Sequence, residues 1–332
     1  MNNEIIVSGM RPTGSLHLGN YFGALINWIQ LQDEYKCLFF VADWHALTTG
    51  YEDTTNINNN ITELIVDWLS AGLDPEKCII FMQSSVKEHA ELHLLLSMIT
   101  PLSWLYRCPT YKDQIAQLKD KNIANYGFLG YPCLMSADIL LYKAKYVPVG
   151  EDQLPHLELT REIARRFNYL YGEVFPEPQP KLTEAKVLPG TDGRKMSKSY
   201  GNTISFSDSP ETIRKKVSMM ITDPARIRKD DPGHPEICTV FAFHKVFNQD
   251  EVPEIEDACK GGKIGCVQCK RKLAEKMIEY LTPIYERRQK IIGNTKYIKE
   301  VVSHGNNEAR KIAQKTLEEV RNAMKINWDA EV

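Results

Sequence analysis

The sequence predicts an α/β protein: a doubly wound parallel sheet followed by a helical C-terminal region. Three features predict it. The runs "EIIVSG", "CLFFVAD", "CIIFMQS" and "YVPVG" are short and apolar without polar alternation, as in strands buried on both faces. The segments between them are longer and repeat apolar residues at helical spacing. Beyond Asp208 the strand-like runs stop while helical periodicity continues.

The first strand covers Glu4 to Gly9, and a helix follows from Asn20, with Phe22, Leu25, Ile26 and Ile29 near helical spacing. Cys37 to Asp43 is the second strand. The helix Thr54 to Leu69 sets Ile57, Ile61, Leu64, Ile65 and Leu69 on one side, and "GLDP" stops it. Cys78 to Ser84 is the third strand, followed by helical segments at Glu88 to Ile99 and Gly127 to Lys143. Tyr146 to Gly150 is the fourth strand, and a further helix opens at Glu151. After Gly172, "PEPQPKLTEAKVLPGTDGRKMSKSYGN" is rich in Pro, Gly, Lys and Ser; it reads as a long surface loop with one short strand at "AKVLP". The final helix, Glu308 to Lys325, repeats apolar residues at Ile312, Ala313, Leu317, Val320 and Met324. The chain is expected to divide into a sheet domain at 1–200 and a helical domain at 201–332, the last helix placed to pack back on the first domain.

Composition is that of a globular protein: 332 residues, 43% hydrophobic and 25% charged. The first residues lack the basic and apolar segments of a signal peptide, and no window nears ~18 uninterrupted apolar residues. A cytoplasmic protein with no membrane span is expected. Eight cysteines in such a chain suggest reduced thiols or metal ligands, not a disulfide framework. Net charge is −2, but Lys260 to Glu300 holds 11 Lys or Arg against 4 Glu, a local +7. That segment is either a polyanion surface or a solvated helical face.

Two loops carry the chemistry. "RPTGSLHLGN" lies between the first strand and the first helix, at the sheet edge where parallel α/β proteins bind ligands. Gly14 and Gly19 allow close backbone approach, and His17 can donate to phosphate oxygens. The spacing is neither a dinucleotide fingerprint nor a P-loop. Far downstream, "GRKMSKS" offers Lys195 and Lys198 on a Gly-flanked loop, cations suited to neutralising a leaving pyrophosphate.

"HLGN" and "KMSKS" together resemble the signature pair of class I aminoacyl-tRNA synthetases, whose Rossmann-type domain activates an amino acid with ATP and Mg²⁺. "ADWHALT", "YPCLMSADILLY", "VPVGEDQ" and "HLELTREIARRFN" narrow this. They resemble the tryptophanyl-tRNA synthetase family, from Ser8 to about Met324, with the tyrosyl family as near rival. The resemblance implies tryptophan activation with ATP, then transfer to tRNA(Trp), by a homodimer with a C-terminal anticodon-binding domain. Asp138 would accept the indole N–H, with Met135 nearby; Tyr131 and Gln153 would bind the α-amino group. Val7, His45, Val147 and Val149 would wall the indole. ATP would lie against Arg11, Pro12, Thr13, Gly14, His17, Gly19 and Asn20 of the first loop. It would also meet Gly150, Glu151 and Asp152 near the ribose, and Lys195, Met196, Ser197, Lys198 and Ser199 of the second loop. Arg11 stands where several relatives carry Gln; with Lys195 and Lys198 it would stabilise charge on the phosphates. The alternatives are a tyrosine–tRNA ligase and a non-catalytic RNA-binding paralogue.

Cys37, Cys78, Cys108 and Cys133 sit in apolar runs and read as small buried hydrophobes. Cys238, Cys259, Cys266 and Cys269 form C-x20-C-x6-C-x2-C with Gly261, Gly262 and Gly265 between them, a metal-site pattern. Spacing leaves zinc and [4Fe–4S] open. The pattern resembles that of a subset of tryptophanyl-tRNA synthetases with a [4Fe–4S] cluster near the anticodon-recognition region.

Overall fold

The computed structural model describes residues 2–108, 111, 123–182, 188–228 and 230–327. Five strands form one sheet: β1 (Asn2–Met10), β2 (Tyr35–Val41), β3 (Cys78–Met82), β4 (Tyr146–Val149) and β5 (Gln179–Leu182). All pair in parallel, in the order β3-β2-β1-β4-β5. The chain works outward from β1 to β3, then crosses back to place β4 on the other side. The order therefore reverses between β1 and β4, the crevice where doubly wound sheets bind ligands.

The helices of the sheet region are α1 (residues 18–31), α2 (Asp43–Gly50), α3 (Ile57–Ala71), α4 (Glu88–Ser97), α5 (Leu102–Arg107), α6 (Tyr126–Leu140) and α7 (Leu154–Tyr171). The C-terminal part adds α8 (Pro210–Ser218), α9 (Thr239–Phe247), α10 (Val252–Lys260), α11 (Cys266–Ile292) and α12 (Thr295–Met324).

Strand side chains alternate between two cores, as a period of two requires. Ile6, Phe39, Val41 and Ile80 join Trp28 of α1, Trp68 of α3, and Leu281 and Ile284 of α11. Val7, Leu38, Phe40 and Phe81 join Leu92 and Leu96 of α4, Leu157 and Ile163 of α7, and Ala309, Ala313 and Leu317 of α12. Each fully buried aliphatic or aromatic side chain contributes about 1.5–3 kcal/mol of transfer free energy. In the first core the Trp28 and Phe39 rings stack, 4.5 Å apart. The last helix lies against β3, and a Cβ at Gly305 would overlap the Ile80 carbonyl.

The structure departs from the sequence expectation in identifiable places. The first helix is irregular, with a π-helical turn at Tyr21–Leu25 between Leu18–Asn20 and Ile26–Leu31. Helix α2 falls in a stretch too short and mixed to show a helical period. Strand β5 comes from "QPKL", part of the presumed loop. Its side chains are partly or largely exposed and Pro180 lies within it, so no apolar run marks it. The expected strand at "AKVLP" falls partly on residues 183–187, outside the described residues; Pro189 makes an isolated antiparallel bridge to Lys195. The helix expected from Glu151 begins as a 3-10 turn, Glu151–Gln153.

Candidate active site

A cavity of about 660 Å³ opens at the carboxyl ends of β1 and β4. That size suits a small organic ligand. All eight residues expected around tryptophan line it: Val7 from β1, His45 from α2, Tyr131, Met135 and Asp138 from α6, Val147 and Val149 from β4, and Gln153. Arg11, Thr13, Asn20 and Gly150 of the ATP set line it as well. Gly9 also lines it: a Cβ there would overlap the Phe40 ring.

Asp138 is the polar centre, 2% exposed. His89 Nδ1 lies 2.6 Å and Gln83 Nε2 2.8 Å from its Oδ1. His45 Nε2 lies 2.7 Å and Gln83 Nε2 3.0 Å from Oδ2. Burial pushes the carboxyl pKa up, but the hydrogen bonds and charges of His45 and His89 outweigh it and hold the pKa at about 2. An ionised carboxylate only accepts, so each imidazole nitrogen facing it carries its proton. The other nitrogen of His89 lies 2.7 Å from the Tyr142 hydroxyl, which anchors the ring. Tyr131 is held in a similar way, its hydroxyl 2.6 Å from Nε2 of buried His156.

The first loop is fixed by its own backbone and by its neighbours. His17 Nδ1 accepts from the Asn20 N–H at 3.3 Å, while the His17 N–H donates to Asn20 Oδ1 at 3.2 Å. This reciprocal cap commits Nδ1 as acceptor, so the neutral ring carries its proton on Nε2. Burial, and then the charge of Lys198, lower the His17 pKa to about 4, keeping the ring neutral at pH 7. Gly14 has φ +91°, a conformation that favours glycine. Pro12 is buried, and Gly19 packs beside the His17 ring and Met196.

The second loop is stitched to the first. The Leu18 N–H donates to the Ile204 carbonyl at 2.9 Å, and the Phe206 N–H to the Leu16 carbonyl at 3.2 Å. Beside this short antiparallel contact, Lys198 Nζ donates to the Thr13 carbonyl at 2.7 Å. Met196 is buried in the first core, anchoring the centre of "KMSKS". Buried Asn202 shapes the turn: its amide donates to Asp192 and to the Lys195 carbonyl, and its oxygen accepts from the Ser197 N–H. Ser197 and Ser199 hydroxyls lie 2.8 Å apart, and Lys195 is exposed. Glu151 and Asp152 follow Gly150 in the 3-10 turn, and Gln153 Nε2 donates to Asp152 at 2.7 Å.

Sequence reading missed Gln83, His89, His156, Asp67 and Asn202. Gln83 had a signal, since a polar residue directly after an apolar strand stands at the ligand-binding edge of the sheet. His89, His156 and Asp67 had none, because their partners are distant in sequence; Asn202 bonds within its own irregular loop, which has no period to read.

The cysteines divide by burial. Cys37, Cys78, Cys108 and Cys133 are buried, and burial raises each thiol pKa, to about 12 for Cys37 and about 11 for Cys133. Cys238, Cys259, Cys266 and Cys269 are half-buried at the ends of α9, α10 and α11. Burial, then the charges of Cys238, Cys259 and Cys266, raise the Cys269 pKa to about 12. Cys259 Sγ occupies space that a side chain at Gly233 would fill, and Cys269 Sγ lies 3.3 Å from His244 Nε2. Among the described residues, no three His, Cys, Asp or Glu side chains are grouped so as to hold a metal ion. The basic segment is partly internal: Arg287 Nε donates to the Ser70 carbonyl, and Arg288 is 4% exposed.

Residues 2–282 match the family described as tRNA synthetases class I (W and Y), and the chain belongs to that family. A tryptophan–tRNA ligase of Thermotoga maritima is 52% identical over 324 residues, 97% of this chain and 99% of that protein. One from Aquifex aeolicus is 49% identical over 392 residues, again 97% and 99%. The crystal structure of tryptophanyl-tRNA synthetase from Campylobacter jejuni, complexed with ADP and tryptophan, matches at TM-score 0.88 and 36% identity, covering 97% and 99%. A tyrosyl-tRNA synthetase from Archaeoglobus fulgidus, at 20% identity and TM-score 0.66, shares the fold alone. The activity of this chain is tryptophan–tRNA ligation, with tryptophan, ATP and tRNA(Trp) as substrates. Among the described residues, no helix is long and apolar enough to cross a membrane.

Proposed function

We propose that the cavity holds tryptophan with its indole toward Asp138, and that the two loops hold ATP between them. The observation that carries this is the Lys198 contact to Thr13, which joins the loops at the cavity mouth. His89 and Gln83 fix Asp138 from behind. His45 lines the cavity, and its N–H occupies Oδ2 in the free chain; the indole N–H takes or shares that acceptor. Tyr131 and Gln153 meet the α-amino group.

The tryptophan carboxylate attacks the α-phosphorus of ATP in line. The bond from that phosphorus to the bridging oxygen breaks, and pyrophosphate leaves with the electron pair. The nucleophile is already deprotonated, so the protein supplies no base; it positions and neutralises charge. Arg11 lines the cavity and donates to Thr49 at 2.5 Å, a cation facing the attacked phosphate. His17 Nε2–H donates to phosphate oxygen. Lys195 and Lys198 balance charge on the leaving group, and Mg²⁺ enters with ATP. A ribose hydroxyl of the tRNA 3′-terminal adenosine then attacks the acyl carbon; the bond from that carbon to the phosphate oxygen breaks, and AMP leaves, its phosphate oxygen able to take the hydroxyl proton. The test is labelled ATP, Mg²⁺ and tryptophan in single turnover: pyrophosphate and enzyme-held tryptophanyl-adenylate are expected, whereas ADP or free phosphate would contradict the reading.

In the same reading the C-terminal helices bind the anticodon region, and the four clustered cysteines hold a [4Fe–4S] unit that shapes this surface. The donor set fits: four thiols on three helix ends, none used in a disulfide. The charges of Cys238, Cys259 and Cys266 act on Cys269, which puts the thiols in one neighbourhood; among the described residues no three are grouped so as to hold a metal ion, so binding would have to draw them together. Anaerobically purified protein should be brown, with iron and sulfide in similar amounts; stoichiometric zinc without iron would contradict this. Leu94 of α4, Met98 just after it, and Leu102 and Tyr106 of α5 are exposed apolar side chains that a second copy would cover in a cytoplasmic homodimer. Light scattering at the monomer mass would exclude that assembly.

A further inference from the structure

Asp67 and Arg288 are 0% and 4% exposed, yet neither lines the cavity. Asp67, on α3, faces the first loop. Its Oδ2 accepts from the Leu16 N–H at 2.5 Å and from the Ser15 hydroxyl at 3.0 Å. Its Oδ1 accepts from Arg288 Nε at 2.7 Å, and Arg288 also pairs with Glu63. Arg288 belongs to α11, which also meets the start of α1 where the Tyr280 and Tyr21 hydroxyls lie 3.0 Å apart. A buried ion pair stabilises little more than apolar residues of equal volume would. What this one does is geometric: it fixes two consecutive points of the loop, next to His17 and two residues after Thr13.

We propose that Asp67 is a positioning residue for the nucleotide loop and that Arg288 makes its hold depend on α11. Adenylate formation is thereby tied to the seating of the C-terminal helices. This rests on the reading of the first loop as the ATP site. A displaced Leu16 would move His17 and Thr13 together, and with Thr13 the acceptor of Lys198. Tryptophan contacts, on α6 and β4, would be left in place.

The experiment uses Asp67→Asn, Arg288→Met and the double variant, with KM for ATP and for tryptophan in pyrophosphate exchange and Tm measured on each. Asp67→Asn should raise KM for ATP about tenfold, the scale of one lost charge-assisted hydrogen bond, and leave KM for tryptophan within about twofold. Arg288→Met should also lower Tm, because it leaves Asp67 buried and unpaired. The double variant should regain Tm, since neither charge is then alone, but keep the raised KM for ATP. Recovery of both in the double variant would reduce the pair to a packing element. An equal rise of both KM values in Asp67→Asn would likewise overturn the proposal. His17→Ala separates the two readings: unchanged KM for ATP there removes the loop from the ATP site. A raised value there beside a normal one in Asp67→Asn refutes positioning alone.

Discussion

Lys198 Nζ lies 2.7 Å from the carbonyl oxygen of Thr13, a contact that spans 185 residues of sequence. It is made possible by the antiparallel pairing of Leu16 and Leu18 with Ile204 and Phe206, which carries the second loop to the first. On the proposed placement of ATP between the loops, this lysine would meet its phosphates.

Lys198→Ala should therefore slow adenylate formation more than it weakens tryptophan binding. Removing one preorganised transition-state donor costs about 10²–10³ in rate. Rapid-quench measurement of adenylate formation checks it, and an unaltered rate would make the contact incidental.

Asp138→Ala should lower kcat/KM for tryptophan by about 1.5–3 kcal/mol, the loss of one charge-assisted hydrogen bond. His45 and His89 would lose their shared acceptor as well, so the loss should lie at the upper end. Unchanged kcat/KM would rule out Asp138 as the acceptor of the indole N–H.

Stability should fall as pH drops from about 6.5 toward 4. Burial lowers the folded pKa of His17, His156 and His244 to about 4 each, against an ordinary value of 6.5. Between those values the unfolded chain binds more protons than the folded one, which favours unfolding as pH falls. Asp138 acts in a lower window: its contribution is complete above 3.8 and is lost as pH falls through about 2. A Tm that stays flat between pH 6.5 and 4.5 would contradict the three histidine assignments.

Cys266→Ser should lose iron and weaken tRNA charging while tryptophan-dependent pyrophosphate exchange largely survives. Cys266 stands at the first turn of α11 and does not line the cavity. Equal losses of exchange and charging would mean that the site supports the whole fold.

The sheet was legible where strands are buried on both faces, because β1 to β4 then read as apolar runs. β5 was not, being short, half-exposed and interrupted by Pro180. The cavity lining was legible from motifs: Asp138, Met135 and Tyr131 share one helix, and Val147 and Val149 one strand. What escaped was the support behind them. His89 touches Asp138 from another helix, Asn202 folds back on its own loop, and Asp67 meets Arg288 across 221 residues. Such partners are set by tertiary packing and leave no local period or spacing. Charge counting overstates the exposed basic surface by Arg288, which counts as basic surface in the sequence and is a buried ion pair in the fold.

The most direct measurement is ATP–pyrophosphate exchange with each of the twenty amino acids in turn. With Asp138 ionised at the end of a cavity walled by Val7, Val147 and Val149, tryptophan alone should support substantial exchange. Equal or greater exchange with tyrosine would contradict the account.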